Sequence, residues 1–158
     1  MVQFNHQFCV MTYNRPNLLK ENIDSIFQQS IKNIRIKVSD CSSNEETYKI
    51  IEKHYSNYIK DNILEYKRIP QTKGFDHNKK VLEECNYEFM TLLHDDDTIY
   101  PEYIENVFKI FSLRPDLSAV AVNGNCEFEN KINNKKKYYM RKSFGDEILD
   151  DLNKFYKK

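Results

Sequence analysis

The sequence Phe89-Met90-Thr91-Leu92-Leu93-His94-Asp95-Asp96-Asp97 joins an apolar run directly to three consecutive carboxylates. The run has the length and composition of a buried strand, so the acidic cluster falls at its carboxyl end. Adjacent carboxylates repel each other by about 1 kcal/mol per close pair even in water, and a cation or a tight turn can offset this. Carboxylate oxygens are the ligands that Mg²⁺, Mn²⁺ and Ca²⁺ prefer. Two interpretations therefore stay open, a divalent-metal site or a solvated acidic turn before the next helix.

Strands and helices alternate on both sides of this stretch. Apolar runs predict five strands, at Phe8–Tyr13, Ile34–Asp40, Ile63–Ile69, Tyr87–Leu93 and Ala119–Val122. Helical spacing predicts helices that start at Pro16, at the capping-box pattern Ser43–Glu46, at Gly74 and at Pro101. This alternation predicts the α/β class, with a mostly parallel sheet flanked by helices. Ligands bind such sheets at the carboxyl ends of the strands, which is where the acidic cluster falls.

The pattern weakens after Gly124. Cys126–Phe128 is a candidate strand, and the lysine-rich segment Lys131–Lys142 is typical of an exposed loop or a hairpin. Apolar residues between Phe144 and Tyr156 recur at helical spacing, which predicts a terminal amphipathic helix.

Composition narrows the class of protein. A chain of 158 residues is long enough for one domain with a sizeable core. Lys+Arg and Asp+Glu balance at 24 each, so no global field favours nucleic acid as a partner. The four cysteines show no CxxC spacing, which is typical of reduced thiols in a cytosolic protein. No signal peptide is visible, and no apolar run reaches the roughly 20 residues that span a bilayer. We therefore expect a cytoplasmic protein.

Four short segments carry a recognisable order of motifs, namely Val10–Pro16, Val38–Ser43, Lys73–Asn78 and Leu93–Asp97. Together they resemble glycosyltransferase family 2, the nucleotide-sugar transferases of GT-A fold, over roughly residues 7–125. The chain departs from the family at Met11, where Pro is usual, and at His94, where the first Asp of the DXD region is usual. The resemblance implies a GT-A (Rossmann-like) fold truncated after the donor-binding half. Residues 1–125 would form the nucleotide-sugar-binding domain, and residues 126–158 would start the acceptor half.

The resemblance also assigns roles to individual residues. It implies contacts to the donor nucleotide for Thr12, Tyr13, Arg15, Asp40, Lys73, Asp95 and Asp96, and contacts to Mn²⁺ or Mg²⁺ for Asp96 and Asp97. Asp40 would accept a hydrogen bond from the edge of a uracil base. A cation held between carboxylates and the pyrophosphate would stabilise the leaving nucleoside diphosphate without proton transfer. Plainer roles remain open, since Asp40 can close a turn, Arg15 can be a surface charge, and Lys73 can be an ordinary loop residue.

The implied reaction is transfer of a sugar from a UDP-sugar to a glycan or lipid-linked acceptor, with inversion, as in polysaccharide biosynthesis. Inversion needs a general base, and we nominate none. The acidic residues Asp146, Glu147, Asp150 and Asp151 follow the DXD region too closely and are typical of a solvated helix face. The alternative is a non-catalytic nucleotide-sugar or metal-binding module, or an inactive fragment of such an enzyme.

A lipid-linked acceptor would give the lysine-rich segment a sharper role. Lys131–Lys142 would then contact anionic lipid head groups, which would place the protein peripherally at the inner face of the membrane. The alternative interpretation of this segment, a solvated loop, stays open. No nucleic-acid partner is expected, because the basic and acidic residues balance and the formal net charge is zero.

Overall fold

The computed structural model describes residues 5–70, 72, 74–122, 125–129 and 136–140. Lys73, the acidic residues beyond position 145 and the predicted terminal helix at Phe144–Tyr156 lie outside the described residues. Backbone contacts divide the chain into two compact units, Met1–Asp116 and Leu117–Lys158.

Strands and helices alternate without interruption in the first unit. They are β1 (His6–Thr12), α1 (Pro16–Phe27), β2 (Ile36–Asp40), α2 (Glu46–Lys60), β3 (Leu64–Arg68), α3 (Gly74–Glu83), β4 (Phe89–His94) and α4 (Tyr103–Leu113). The four strands form one sheet in the order β3-β2-β1-β4, and every neighbouring pair is parallel. The predicted α/β class with a parallel sheet is confirmed. Within the described part of the chain, no helix is long and apolar enough to cross a membrane.

The second unit differs from the prediction. The predicted fifth strand at Ala119–Val122 is wrong, since these residues pair with no strand and are largely exposed. A run of four residues that includes two alanines buries too little surface to hold a strand. The unit contains instead an antiparallel pair, β5 (Asn125–Glu129) and β6 (Lys136–Met140), with Asn125 opposite Met140. Because β6 runs through the lysine-rich segment, the backbone favours the hairpin over the loop.

One face of β2 carries polar side chains and is nevertheless buried. Lys37 and Ser39 alternate with apolar residues along β2, and both are almost fully buried. The Ser39 hydroxyl lies 2.9 Å from Nε2 of His77 in α3. The Lys37 ammonium donates over 3.1 Å to Glu84, the residue after α3. The polar face of β2 is therefore covered by the α3 segment, which supplies a partner for each polar side chain.

β1, the central strand, carries apolar side chains on both of its faces from Phe8 to Met11. All seven of its residues are buried. Cys9 and Met11 pack with Val81 of α3, and Phe8 and Val10 point to the other face because side chains alternate along a strand. A strand apolar on both faces is typical of a sheet with helices on both sides. β1 therefore lies at the centre of the core.

His6, the first residue of β1, makes folding stability depend on pH. Its ring is buried, lies 2.9 Å from the Thr91 hydroxyl and packs edge-on against Phe8. Burial lowers the pKa of His6 from 6.5 to about 4. The unfolded chain takes up a proton near pH 6.5 and the folded chain only near pH 4, so stability is highest above pH 6.5 and falls between these values.

We expect this histidine to remove about 2 kcal/mol of unfolding free energy between pH 7 and pH 5. His6→Gln should lose that part of the pH dependence, because glutamine keeps a polar group beside Thr91 but does not titrate. Urea unfolding of both proteins at the two pH values, followed by circular dichroism, measures the difference. His54→Gln, at an exposed position in α2, is the matched control and should behave as the parent does. Equal pH dependence in His6→Gln and the parent would contradict this assignment.

Candidate functional site

The carboxyl ends of β1, β2 and β4 meet at one edge of the sheet. Thr12 is paired with Asp40, and Met11 is paired with His94. The chain leaves β1 toward β2 and returns to the far side of β1 as β4, so the strand order reverses between β1 and β4. Ligands bind open α/β sheets in the crevice at such a switch point.

A cavity of about 480 Å³ opens at this crevice. It is lined by Met11, Thr12, Tyr13, Arg15, Cys41, Gly74, His77, Asn78, His94 and Asp95. The volume lies within the range of small-molecule sites, roughly 300–1,000 Å³. Of the residues that the resemblance assigns to the donor nucleotide, Thr12, Tyr13, Arg15 and Asp95 therefore lie together.

Asp95 joins the ends of β1 and β4. Its side chain is 5% exposed. One oxygen accepts hydrogen bonds from the Thr12 hydroxyl at 2.8 Å and from the Tyr13 backbone N–H at 3.2 Å. The other oxygen accepts from the Arg15 guanidinium at 3.1 Å. These three hydrogen bonds replace the water that burial removes from the carboxylate. Asp95 thereby fixes the shape of the cavity wall.

Asp96 and Asp95 share the same guanidinium nitrogen. The Arg15 Nη1 atom lies 2.9 Å from Asp96 and 3.1 Å from Asp95. The Arg15 and Asp96 side chains are each 51% exposed, so solvent weakens their pair to roughly 0–1 kcal/mol. The two adjacent carboxylates therefore have different environments, since Asp95 is held in the wall and Asp96 faces solvent.

Hydrogen bonds from Asn22 of α1 and to the Asp97 side chain stabilise the backbone of the acidic turn. One Asp97 carboxylate oxygen accepts a hydrogen bond from the His94 backbone N–H at 3.0 Å. The fully buried Asn22 amide donates to the backbone oxygens of His94 at 3.0 Å and of Asp97 at 2.7 Å. The one indication of this role in the sequence is that Asn22 is a polar residue next to Ile23, which belongs to the buried face of α1.

Asp40 lies at the end of β2 and is fully buried. One carboxylate oxygen accepts from the Ser42 backbone N–H at 2.7 Å, and the other accepts from the Tyr66 hydroxyl. Burial, followed by the hydrogen bond to Asp40, raises the pKa of Tyr66, so its hydroxyl stays a donor. Asp40 thus closes the turn after β2, and a base edge could reach it only if Tyr66 or the turn moved.

The loops after β1 and β2 are tied to each other. Asn14 adopts a left-handed backbone with φ 54°, a conformation that Asn tolerates better than most residues. Its N–H donates to the Ser42 hydroxyl at 2.8 Å, and its side-chain oxygen accepts from the Ser43 N–H at 3.0 Å. The predicted capping box at Ser43–Glu46 is therefore wrong. Ser43 hydrogen-bonds to Asn14, and the residue that precedes α2 is Glu45.

His77 and Cys41 line the cavity side by side, and no sequence pattern predicted their contact. The Cys41 sulfur is 3.3 Å from Nδ1 of His77, whose Nε2 faces Ser39. Burial is the largest cause that lowers the pKa of His77. The ring is therefore neutral near pH 7, and it lines the cavity without adding positive charge.

The residues at this edge fit a cation shared with a phosphate ligand better than a cation held by protein alone. Among the described residues, no group of three or more His, Cys, Asp or Glu could hold a metal ion. Asp95 already has three donors, which leaves the exposed carboxylates of Asp96 and Asp97. Mg²⁺ is commonly held by one or two carboxylates together with substrate phosphates and water. The donor set fits that arrangement.

Comparison with known proteins identifies the family. Residues 8–157 match Glycosyl transferase family 2, and the chain belongs to this family. It is 29% identical over 130 residues to GalNAc(5)-diNAcBac-PP-undecaprenol beta-1,3-glucosyltransferase of Campylobacter jejuni, and the match covers 82% of this chain and 40% of that protein. It is 27% identical over 122 residues to Protein CgeD of Bacillus subtilis, with 69% and 26% covered. The chain therefore spans less than half the length of these relatives.

Solved structures share the fold. S. aureus TarS in complex with UDP-GlcNAc aligns with TM-score 0.58 and 22% identity over 70% of this chain and 32% of that chain. The mannosyltransferase PcManGT of Pyrobaculum calidifontis, in complex with GDP-Man and Mn²⁺, aligns with TM-score 0.61 and 19% identity, covering 70% and 33%. The predicted GT-A (Rossmann-like) fold is confirmed.

Proposed function

We propose that this chain binds the donor of a glycosyltransferase that moves a sugar from a UDP-sugar to a glycan or lipid-linked acceptor, with inversion. The observation that carries the proposal is the cavity at the switch point, where Thr12, Tyr13, Arg15 and Asp95 converge. Family membership supports a nucleotide-sugar as its ligand. Residues 1–125 form the donor domain in this proposal, and residues 126–158 begin the acceptor half.

The diphosphate is the part of the donor that the cavity chemistry addresses most directly. Arg15 places a half-exposed guanidinium at the cavity, and guanidinium groups pair well with phosphate oxygens. In this proposal Asp96 and Asp97 hold Mn²⁺ or Mg²⁺, which stabilises the charge of the departing nucleoside diphosphate. Lys73 stays a predicted contact to the nucleotide. Asp95 acts mainly by positioning Thr12 and Arg15.

Selection of uracil by Asp40 is a further part of the proposal. Its carboxylate stands at the end of β2, next to the cavity residue Cys41. A carboxylate has about four lone-pair positions, and the two hydrogen bonds from Ser42 and Tyr66 use two of them. A base N–H could take a third position once Tyr66 shifts. The UDP-GlcNAc complex of the structural relative TarS is consistent with this preference.

The acceptor is proposed from a relative and from the second unit. The name of the Campylobacter jejuni relative describes a lipid-linked undecaprenyl substrate. The lysine-rich segment Lys131–Lys142 would contact anionic head groups near such an acceptor, at the inner face of the membrane.

A thermal-shift panel of UDP, GDP and dTDP, each with and without Mn²⁺, tests the donor proposal. UDP at about a hundred times its Kd should stabilise the fold by roughly 2.7 kcal/mol, more with Mn²⁺ than without. Asp96→Asn and Asp97→Asn should lose the metal-dependent part of that gain. Asp61→Asn, an exposed acid at the end of α2, is the matched control and should keep it.

Three results are informative, two from this panel and one from a turnover assay with UDP-sugar. No stabilisation by any nucleotide would sink the donor proposal. An undiminished response to Mn²⁺ in both Asp96→Asn and Asp97→Asn would contradict the metal assignment. Binding of UDP without any turnover of UDP-sugar, even by hydrolysis, would favour the non-catalytic module.

A further inference from the structure

Arg15 already provides a positive charge at the acidic turn Asp95–Asp97. A single nitrogen, Nη1, contacts Asp95 at 3.1 Å and Asp96 at 2.9 Å. Three adjacent carboxylates repel each other, and a metal or a turn can offset this repulsion. In the structure, Arg15 supplies a positive charge to two of them, and Asp97 binds the turn backbone.

The two contacts of Arg15 differ in strength because of burial. The Asp95 carboxylate is almost fully buried, so water screens its hydrogen bond to Arg15 less than it screens the pair of Arg15 with Asp96. The Asp96 carboxylate is half exposed, so its pair with Arg15 is screened and readily exchanged. Arg15 is thus anchored on Asp95, and only its contact to Asp96 can open at low cost.

We propose that Arg15 holds the acidic turn closed to divalent cations while the cavity contains no nucleotide. A cation approaching Asp96 must replace the guanidinium there and then remain beside its positive charge, which Asp95 keeps in place. A diphosphate in the cavity would change this balance, because its negative charge attracts both the guanidinium and the metal. Arg15 is therefore a positioning residue that makes metal binding depend on the donor. The exclusion of cations from the empty cavity does not depend on the proposed function. Only the effect of a bound diphosphate rests on it.

Mn²⁺ binding without nucleotide tests the inference, with free Mn²⁺ measured by electron paramagnetic resonance at low ionic strength. Removing one positive charge near the ion should tighten binding by at least about tenfold in Arg15→Gln. Arg15→Lys keeps the charge and should bind Mn²⁺ as weakly as the parent does. The gain should vanish in Arg15→Gln/Asp96→Asn and shrink as salt is added. Arg114→Gln, which removes the arginine of an ion pair with Asp116 after α4, is the matched control and should resemble the parent.

Two results with the Arg15→Gln variants would overturn the inference. One is Mn²⁺ binding in Arg15→Gln no tighter than in the parent, and the other is a gain that survives Asp96→Asn. Asp96→Asn alone covers the case in which Arg15→Gln fails to fold, because Asp96 is half exposed and its loss leaves the Asp95 contacts intact. Without nucleotide it should match the parent within about twofold, since Arg15 already occupies Asp96; a clear loss of Mn²⁺ affinity would show an open site.

A UDP titration separates this inference from the proposed function. In the parent, UDP should tighten Mn²⁺ binding and Mn²⁺ should tighten UDP binding by the same factor, and the factor should be smaller in Arg15→Gln. Absence of UDP binding in every variant would refute the proposed function. The nucleotide-free comparison of the parent with Arg15→Gln would still decide the role of Arg15.

Discussion

Asp95→Ala is expected to lower the free energy of unfolding by about 4 kcal/mol, the largest effect among the three aspartates. The substitution removes the acceptor of the buried Thr12 hydroxyl and of the Tyr13 N–H. Hydrogen bonds to charged groups contribute about 1.5–3 kcal/mol each, and buried donors left without an acceptor are costly. Arg15 contributes less to the loss because its side chain is half exposed. Urea unfolding followed by circular dichroism measures the effect, and the chain has no tryptophan to report by fluorescence.

Asp96→Ala is the matched control for this prediction. It removes the same chemical group one residue away, but its carboxylate is half exposed and pairs with the half-exposed Arg15. We expect a change of no more than about 0.5 kcal/mol in the free energy of unfolding. Equal losses in Asp95→Ala and Asp96→Ala would show that burial does not separate the two residues.

Glu84→Ala is expected to destabilise the fold by about 3 kcal/mol, because it leaves the ammonium of Lys37 buried with a weakened set of partners. The Lys37 side chain is 6% exposed, and its contact to Glu84 at 3.1 Å is shorter than its contact to Glu65 at 3.6 Å. Breaking a buried ion pair from one side commonly costs 3–5 kcal/mol, and the lower end of about 3 applies because Glu84 is partly exposed. Hydrogen bonds from Lys67 and Lys37 lower the pKa of Glu84, so it is charged at neutral pH.

The double variant Lys37→Met/Glu84→Ala tests the reason for that loss. Methionine has a similar length and carries no charge, so at least half of the destabilisation should be recovered. Lys67→Ala removes the more exposed partner of Glu84 and should cost roughly 0–1 kcal/mol. Additive losses in the double variant would mean that Glu84 stabilises the fold by packing and not by neutralising Lys37.

Local apolar patterns predicted most of the first unit. The spacing of Leu19, Ile23 and Ile26 indicated the buried face of α1, and the structure buries all three completely. Pro16 marked the start of the same helix. The failures came where the pattern was short or where a polar group had several candidate partners. Ala119–Val122 was too short a run to define a strand, and Ser43 turned from its expected helix toward Asn14.

The site was only partly predictable. The strand ends identified the edge of the sheet at which Thr12, Arg15 and Asp95 meet, because parallel strands bring their carboxyl ends together. Asn22 and His77 were missed as site residues. Each lies within a helix and is far in sequence from the groups that it contacts, so local periodicity indicates at most that the residue is buried and does not identify its partners.

The sequence by itself determined the succession of strands and helices, the parallel sheet and the edge that carries the acidic turn. These properties depend on the order and periodicity of apolar residues, which are local. Only the tertiary structure decided how three identical aspartates divide their roles. Asp95 is buried by the end of β1, Asp96 is left in solvent beside Arg15, and Asp97 binds the backbone of its own turn. Their chemistry is the same, and the neighbours that folding brings from β1 and α1 set each one apart.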